Sequence, residues 1–196
     1  MTEARFPPTP TCHLPNEYKS YGKDLDDIIG KAFGENGKLM TYKDDKDALL
    51  GPFPILIASK QIGTQYMALN KSFGALEGLP PDAREVAILT IGARYQAAFE
   101  LYAHSSLAVN SNLLTQTQVD LISSGKKPED LNEKCSVTYD AVQHLANVPG
   151  PLSKELFDRC VQAFGKEGTV LLAHYAGTYA YTCILLNVAD ASVPKD

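Results

Sequence analysis

Three ionisable side chains stand where the sequence is otherwise apolar. Glu85 opens the run Val86-Ala87-Ile88-Leu89, which continues to Ile91, and Glu100 and His104 follow four residues apart in a second apolar segment. Residues four apart on a helix share a face, one turn above the other. Burying an ionised group is costly unless it is paired, so the two glutamates and the histidine must pair with each other or serve a function. An imidazole can donate or accept a proton near neutrality. A carboxyl in apolar surroundings keeps its proton to higher pH. Together they form a general acid–base set. Decarboxylation beside an unsaturated lactone, or a double-bond shift in such a ring, requires a proton donor and acceptor on either side of an enolate. In that chemistry His104 is the donor or acceptor, Glu100 its partner or a second acid/base, and Glu85 an orienting group.

Each residue also has a purely structural reading. A Glu preceding a His by one turn stabilises a surface helix by ~0.2–0.5 kcal/mol. Glu85 near a helix start complements the dipole, or pairs with Arg84 or Arg94. A second histidine, His174, shares a stripe with Thr178 and Tyr181 or Thr182. It is either hydrogen-bonded in a core or interface, or a wall of the substrate pocket with Tyr102 or Tyr179 nearby. Glu100 and His104 with a third ligand such as His174 or Glu85 would be the only metal set. Two ligands at one-turn spacing do not make a zinc site, and no metal is assigned. His13 and His144 receive no role.

The elements that must carry these residues read as helices. Residues 1–22 hold four prolines before Asn16 and show no period, which predicts an extended arm. Apolar residues at 25, 28, 29 and 33 predict a helix over 24–33. A loop follows to Asp47, then a short helical turn over 55–60 and a helix over 65–76 with Tyr66, Leu69, Phe73 and Leu76 on one face. Pro80-Pro81 opens the helix that carries Glu85, running to about Arg94. The segment 97–110 carries Glu100 and His104. Thr115-Gln116-Thr117-Gln118 is a capping box and Gly125 a stop. Further helices are expected over 128–146 and 152–164, with Gly165 to Gly168 turning the chain. The last, 169–189, has no Asp, Glu, Lys or Arg. Its length is that of a membrane span, but its histidine, asparagine, tyrosines and threonines suit a core or subunit interface better.

No segment reads as a strand, so the fold class is all-α with about eight helices. The 196 residues suit one domain, 23–190, with the arm before it and a tail over 191–196. A formal net charge of −5 and scattered lysines and arginines exclude nucleic-acid binding through bulk charge. The N-terminal stretch has no apolar signal region. The four cysteines, 12, 135, 160 and 183, form no CxxC and read as reduced thiols of a cytoplasmic protein.

These residues resemble the carboxymuconolactone decarboxylase superfamily, which includes the AhpD-type alkylhydroperoxidases. The resemblance runs from Gly51 to Val188 through GPFPILIAS, LPPDAREVAIL, FELYAH followed by Ala108, and Leu185-Leu186-Asn187. It implies an AhpD-like helical bundle without a cofactor, a homo-oligomer (trimer or hexamer), and a site beside the helix of His104. The hydroperoxidase pattern Cys-x-x-Cys-x-x-x-His has Ala97 and Glu100 at its cysteine positions here, so thiol redox chemistry is lost. Glu85 and His104 match that branch's proton relay, while Glu100-Leu101-Tyr102-Ala103-His104 matches the Glu-Leu-x-x-His of the decarboxylases. The expected activity is a lyase or isomerase acting on a small cyclic acid, lactone or enone, with catalytic His104, Glu100 and Glu85 and substrate contacts from Tyr102, His174 and Tyr179. The rivals are a peroxidase-related stress protein and a non-catalytic binding or assembly protein with the same fold.

Overall fold

The computed structural model describes residues 4–73 and 76–194. In chain order its helices are α1 Asn16–Phe33, α2 Phe53–Ala58, α3 Lys60–Phe73, α4 Pro81–Tyr95, α5 Ala98–Asn110, α6 Gln116–Ser123, α7 Glu133–Asn147 and α8 Lys154–Ala189, with one 3-10 turn at Thr11–His13. Among the described residues the only β pairing is an isolated bridge between Lys43 and Leu49. The fold is all-α, as expected.

The centre of the molecule is α4. Every residue from Glu85 to Gly92 is buried, because α5, α6, α7 and α8 pack around it. Such a helix shows no amphipathic period, and the unbroken apolar run around Glu85 is the sequence form of that position. Gln96, in the left-handed conformation, ends α4, and α5 turns straight back. The hairpin is tight because Gly92 has no side chain: a Cβ there would lie 3.0 Å from Leu101 Cδ2 and 3.8 Å from Glu100 Cγ.

Helices α1 to α3 cover the other side of α5 and α8. The N-terminal arm is shorter than expected. It ends at Pro15, whose carbonyl receives the Tyr18 N–H at 2.9 Å. Residues 16–22 belong to α1, which buries Tyr21, Gly22, Leu25 and Ile29. Two tyrosines and a glycine gave those first turns too little apolar period to read. Arg5 in the arm donates to the Val188 carbonyl at 3.0 Å, capping the end of α8. The helix expected over 65–76 begins earlier, at Lys60, and residues 74 and 75 of it lie outside the described residues. So do 195 and 196 of the expected tail. The capping box at Thr115 and Gln118 is present. Helix α7 begins at Glu133 rather than 128, because Asn132 accepts the Cys135 N–H and caps it.

Helix α8 differs most from expectation. The predicted turn over 165–168 shrinks to one residue: Gly165 has φ 70° and ψ 177°, and helix resumes at once. Only glycine adopts that backbone readily. The kink redirects the second half of α8 along α3 and α5. By length and composition α8 could cross a membrane; 44% of its most apolar window is buried within the chain, and α8 as a whole packs on α4 and α7.

Candidate active site

The α4–α5 hairpin brings Glu85, Glu100 and His104 together. His104 Nδ1 lies 2.8 Å from Glu85 Oε2. Against an ionised carboxylate, which only accepts, Nδ1 carries the proton and donates it. The other ring nitrogen, Nε2, lies 3.3 Å from Glu100 Oε1. That distance is within ion-pair range but lacks hydrogen-bond alignment, and Glu100 Oε1 is fully buried with no hydrogen-bond partner. Neither Arg84 nor Arg94 forms an ion pair with Glu85 among the described residues. Arg84 instead donates to the Leu79 carbonyl and lies over the Tyr175 ring.

Burial and charge oppose each other here. Burial lowers the His104 pKa, but the Glu85 and Glu100 carboxylates outweigh it and the Glu85 hydrogen bond adds to them, so the value rises to about 9. The two carboxylates therefore favour the imidazolium form of His104. Glu100 is raised above the usual carboxyl range, first by burial, with Glu85 adding to it and His104 opposing. The set thus couples a charged donor, Nε2–H, to a carboxyl whose proton is labile nearer neutrality than that of a solvated glutamate.

A cavity of about 360 Å³ opens onto this pair, with Glu100, His104 and Tyr179 in its wall. That volume lies at the lower end of the range for small-molecule sites. The walls are mainly apolar and come from α1, α2, α3 and α5, with Phe33, Phe53, Met67 and Phe99 prominent. Polar groups are few. Tyr66 and Thr182 share a hydroxyl hydrogen bond of 2.6 Å, and Asn70 and the exposed Lys71 stand on the α3 side. Tyr179 meets the His104 ring edge-on, with centroids 5.2 Å apart and planes at 89°. Burial, with Glu100 adding, raises its hydroxyl well above the ordinary tyrosine value, so it stays a neutral phenol.

The site residues expected from sequence divide as follows. Glu100, His104 and Tyr179 line the cavity, and Glu85 stands behind His104 as an orienting group would. Tyr102 does not line it. Its hydroxyl accepts the Thr41 N–H at 3.3 Å, because one residue from Ala103 turns a side chain about 100° around the helix. His174 is exposed and only neighbours the Phe73 ring. It lies five residues from Tyr179 and so projects from a different face of α8. Tyr66 and Thr182 were the residues missed. Tyr66 falls on the inward stripe of α3, and an inward tyrosine hydroxyl requires a partner, but its partner lies 116 residues away. No cysteine lines the cavity. Cys183, beside Thr182, is buried, and burial raises its thiol.

No protein-family model matches the sequence, and no curated protein matches it. Solved structures do. A peroxidase-related protein of Ralstonia eutropha JMP134, described as an alkylhydroperoxidase AhpD core, aligns with TM-score 0.73 at 13% identity, over 100% of this chain and 94% of that one. A cysteine-to-alanine variant of the debrominase Bmp8, in complex with 2,3,4-tribromopyrrole, aligns with TM-score 0.70 at 12% identity, over 92% and 89%. The same debrominase without ligand aligns with TM-score 0.70 at 12% identity, over 92% and 90%. The chain therefore has the AhpD-like all-α fold.

Proposed function

We propose that this chain is a cofactor-independent acid–base enzyme of the carboxymuconolactone decarboxylase type, a lyase or isomerase acting on a small cyclic acid, lactone or enone in the cytoplasm. The observation that carries this reading is His104 on the wall of a small apolar cavity, held by Glu85 at one nitrogen and facing Glu100 with the other. Glu85 fixes the ring orientation and keeps Nδ1–H occupied. Nε2–H then points its proton toward the Glu100 side of the cavity. In a double-bond shift, ionised Glu100 removes a proton from carbon α to a carbonyl. The electron pair moves into the enolate, and Nε2–H returns a proton at the γ carbon. In a decarboxylation, loss of CO2 leaves the same enolate, and Nε2–H protonates it. Either route suits a mainly apolar pocket, where fixed charges act more strongly on the developing oxyanion than they would in water. Lys71 is the cation on the cavity wall able to meet a substrate carboxylate.

The Bmp8 complex contains a small aromatic ring, and a ring of that size suits this cavity. Thiol chemistry at this position has no thiol to use. A filled core with no cavity would have favoured a non-catalytic role, and the opening at His104 favours catalysis.

The test is a panel of small cyclic acids, lactones and enones incubated in D2O and followed by proton NMR. The reading expects deuterium entry beside a carbonyl or loss of CO2 for at least one compound, and neither with His104→Ala at unchanged fold. Compounds that bind and raise Tm but are never exchanged or converted would establish a binding protein instead.

A further inference from the structure

Two tyrosines, Tyr66 and Tyr179, line the cavity with Glu100 and His104, and their hydroxyls are not alike. Thr182 makes the difference. Its hydroxyl donates to the Thr178 carbonyl one turn back at 2.9 Å, a back-bond that threonine can make inside a helix. A hydroxyl has one proton and two lone pairs. With the Thr182 proton committed, its 2.6 Å contact with Tyr66 Oη runs in one direction: Tyr66 donates and Thr182 accepts. The chain of bonds ends on a backbone carbonyl, which has no proton to give, so the direction cannot reverse.

The Tyr66 hydroxyl makes no other hydrogen bond among the described residues. The neighbouring Asn70 amide donates to the Tyr66 main-chain carbonyl instead. Toward the cavity Tyr66 is therefore an acceptor only. Its ring lies against Tyr181, with centroids 5.6 Å apart, which holds that acceptor in place.

Tyr179 is the opposite case. Its ring is wedged between Tyr175, stacked at 4° with centroids 5.9 Å apart, and His104. Its hydroxyl has no hydrogen-bond partner among the described residues. Burial first, then Glu100 and Tyr66, keep the proton on it. An oriented phenol with an uncommitted proton, beside an acid–base pair, is placed to receive a carbonyl oxygen and the enolate oxygen that forms from it.

We propose that the cavity selects cyclic enones that also carry a hydroxyl, the carbonyl accepting from Tyr179 and the hydroxyl donating to Tyr66. This rests on the acid–base reading of His104 and Glu100 and narrows its substrate class. Glu100, the other acceptor on the wall, is engaged at the carbon that loses its proton. A ring whose hydroxyl is methylated or missing leaves the Tyr66 lone pair desolvated and unpaired. Sites built to pair with a hydroxyl reject an analogue lacking it far more strongly than apolar pockets reject a missing methylene.

The test is calorimetric titration of the full chain with 2-hydroxy- and 4-hydroxycyclohex-2-enone, each against its methyl ether and against cyclohex-2-enone itself. At least one hydroxy compound should bind about tenfold more tightly than both of its analogues. Thr182→Val keeps the shape and removes the oxygen that receives the Tyr66 proton. Tyr66 can then donate, and the preference over the methyl ether should fall about threefold or more. Tyr66→Phe combined with Thr182→Val removes both oxygens and should abolish the preference. Tyr179→Phe should weaken every enone while the preference persists. Equal binding of the hydroxy compounds and their ethers, no binding of any of them, or a preference that survives the double variant overturns the proposal. Deuterium exchange in D2O separates it from the reading on which it rests. A hydroxyl preference in binding without exchange of any compound supports the selection and removes the acid–base chemistry. Equal exchange of the hydroxy compounds and their ethers supports the chemistry and overturns the selection.

Discussion

His104 Nδ1 and Glu85 Oε2 lie 2.8 Å apart across the α4–α5 hairpin, a bond between two helices rather than within one. It ties the imidazole to the central helix α4, so the ring cannot rotate without breaking a charge-assisted hydrogen bond. Glu85→Gln keeps the shape and removes the charge. The His104 pKa, followed by NMR of the ring protons, should fall from about 9 toward the ordinary imidazole range. An unchanged titration would show that Glu100 alone sets it.

Stability should depend on pH through the same ring. The folded-state pKa of His104 is raised above its unfolded value near 6.5 to about 9. Its stabilising contribution is therefore complete below pH 6.5 and is lost as pH rises toward 9, because the folded state binds the extra proton. Glu100, also raised, acts in the same direction from lower pH. Glu85, Glu100 and Tyr179 are the titratable groups facing the ring. Tm should fall between pH 6.5 and 9 in the wild type and fall less in His104→Gln. Parallel curves for the two proteins would contradict the assignment.

Glu100 trades stability for chemistry. Its Oε1 is buried without a hydrogen bond, and an unsatisfied buried acceptor costs about 1–3 kcal/mol, more when charged. Glu100→Leu should raise Tm, by a margin that grows with pH, while abolishing turnover. His104→Ala should lower kcat by ~10²–10⁴-fold, the usual share of a general acid or base. Loss of stability in Glu100→Leu would mean that the carboxyl is structurally paired.

The closeness of α4 and α5 rests on Gly92. Gly92→Ala gains ~1 kcal/mol of helix propensity and must shift only the flexible end of Leu101, so its net effect should be near zero. Gly92→Val adds bulk at the contact with Leu101 and Glu100 and should cost about 1–3 kcal/mol and weaken the His104–Glu100 pair. Urea denaturation of both variants checks the contrast. Equal costs would place the constraint elsewhere.

Local periodicity disclosed what lies on one helix. Glu100 and His104 share a face by spacing alone, and Glu85 stood out because a glutamate opens an apolar run. The same reasoning failed for Tyr102 and His174, where chemistry suggested a role but rotation about the helix axis points the side chain elsewhere. The pocket's far wall was invisible in principle. Phe33, Phe53 and Tyr66 meet His104's surroundings only through the packing of α1, α2 and α3, and no spacing within a helix encodes that. The kink in α8 was legible as a glycine-bounded break, but not that a single residue would suffice.

That single-residue kink leaves α8 no slack. Beyond Gly165 two of the side chains of the helix pin it to its surroundings, the Thr182 hydroxyl at Tyr66 and the Asn187 amide, which donates to the Tyr95 carbonyl at 2.8 Å. One inserted residue between them would turn everything that follows by about 100° and advance it by 1.5 Å, and both pins could not close together. Between Gly165 and Thr182 an insertion would instead rotate Tyr179 relative to the kink and take it off the His104 ring. An insertion between Gly165 and Asn187 should therefore cost the site its geometry, whereas one in the connection before Lys154, outside the pinned stretch, should leave it intact.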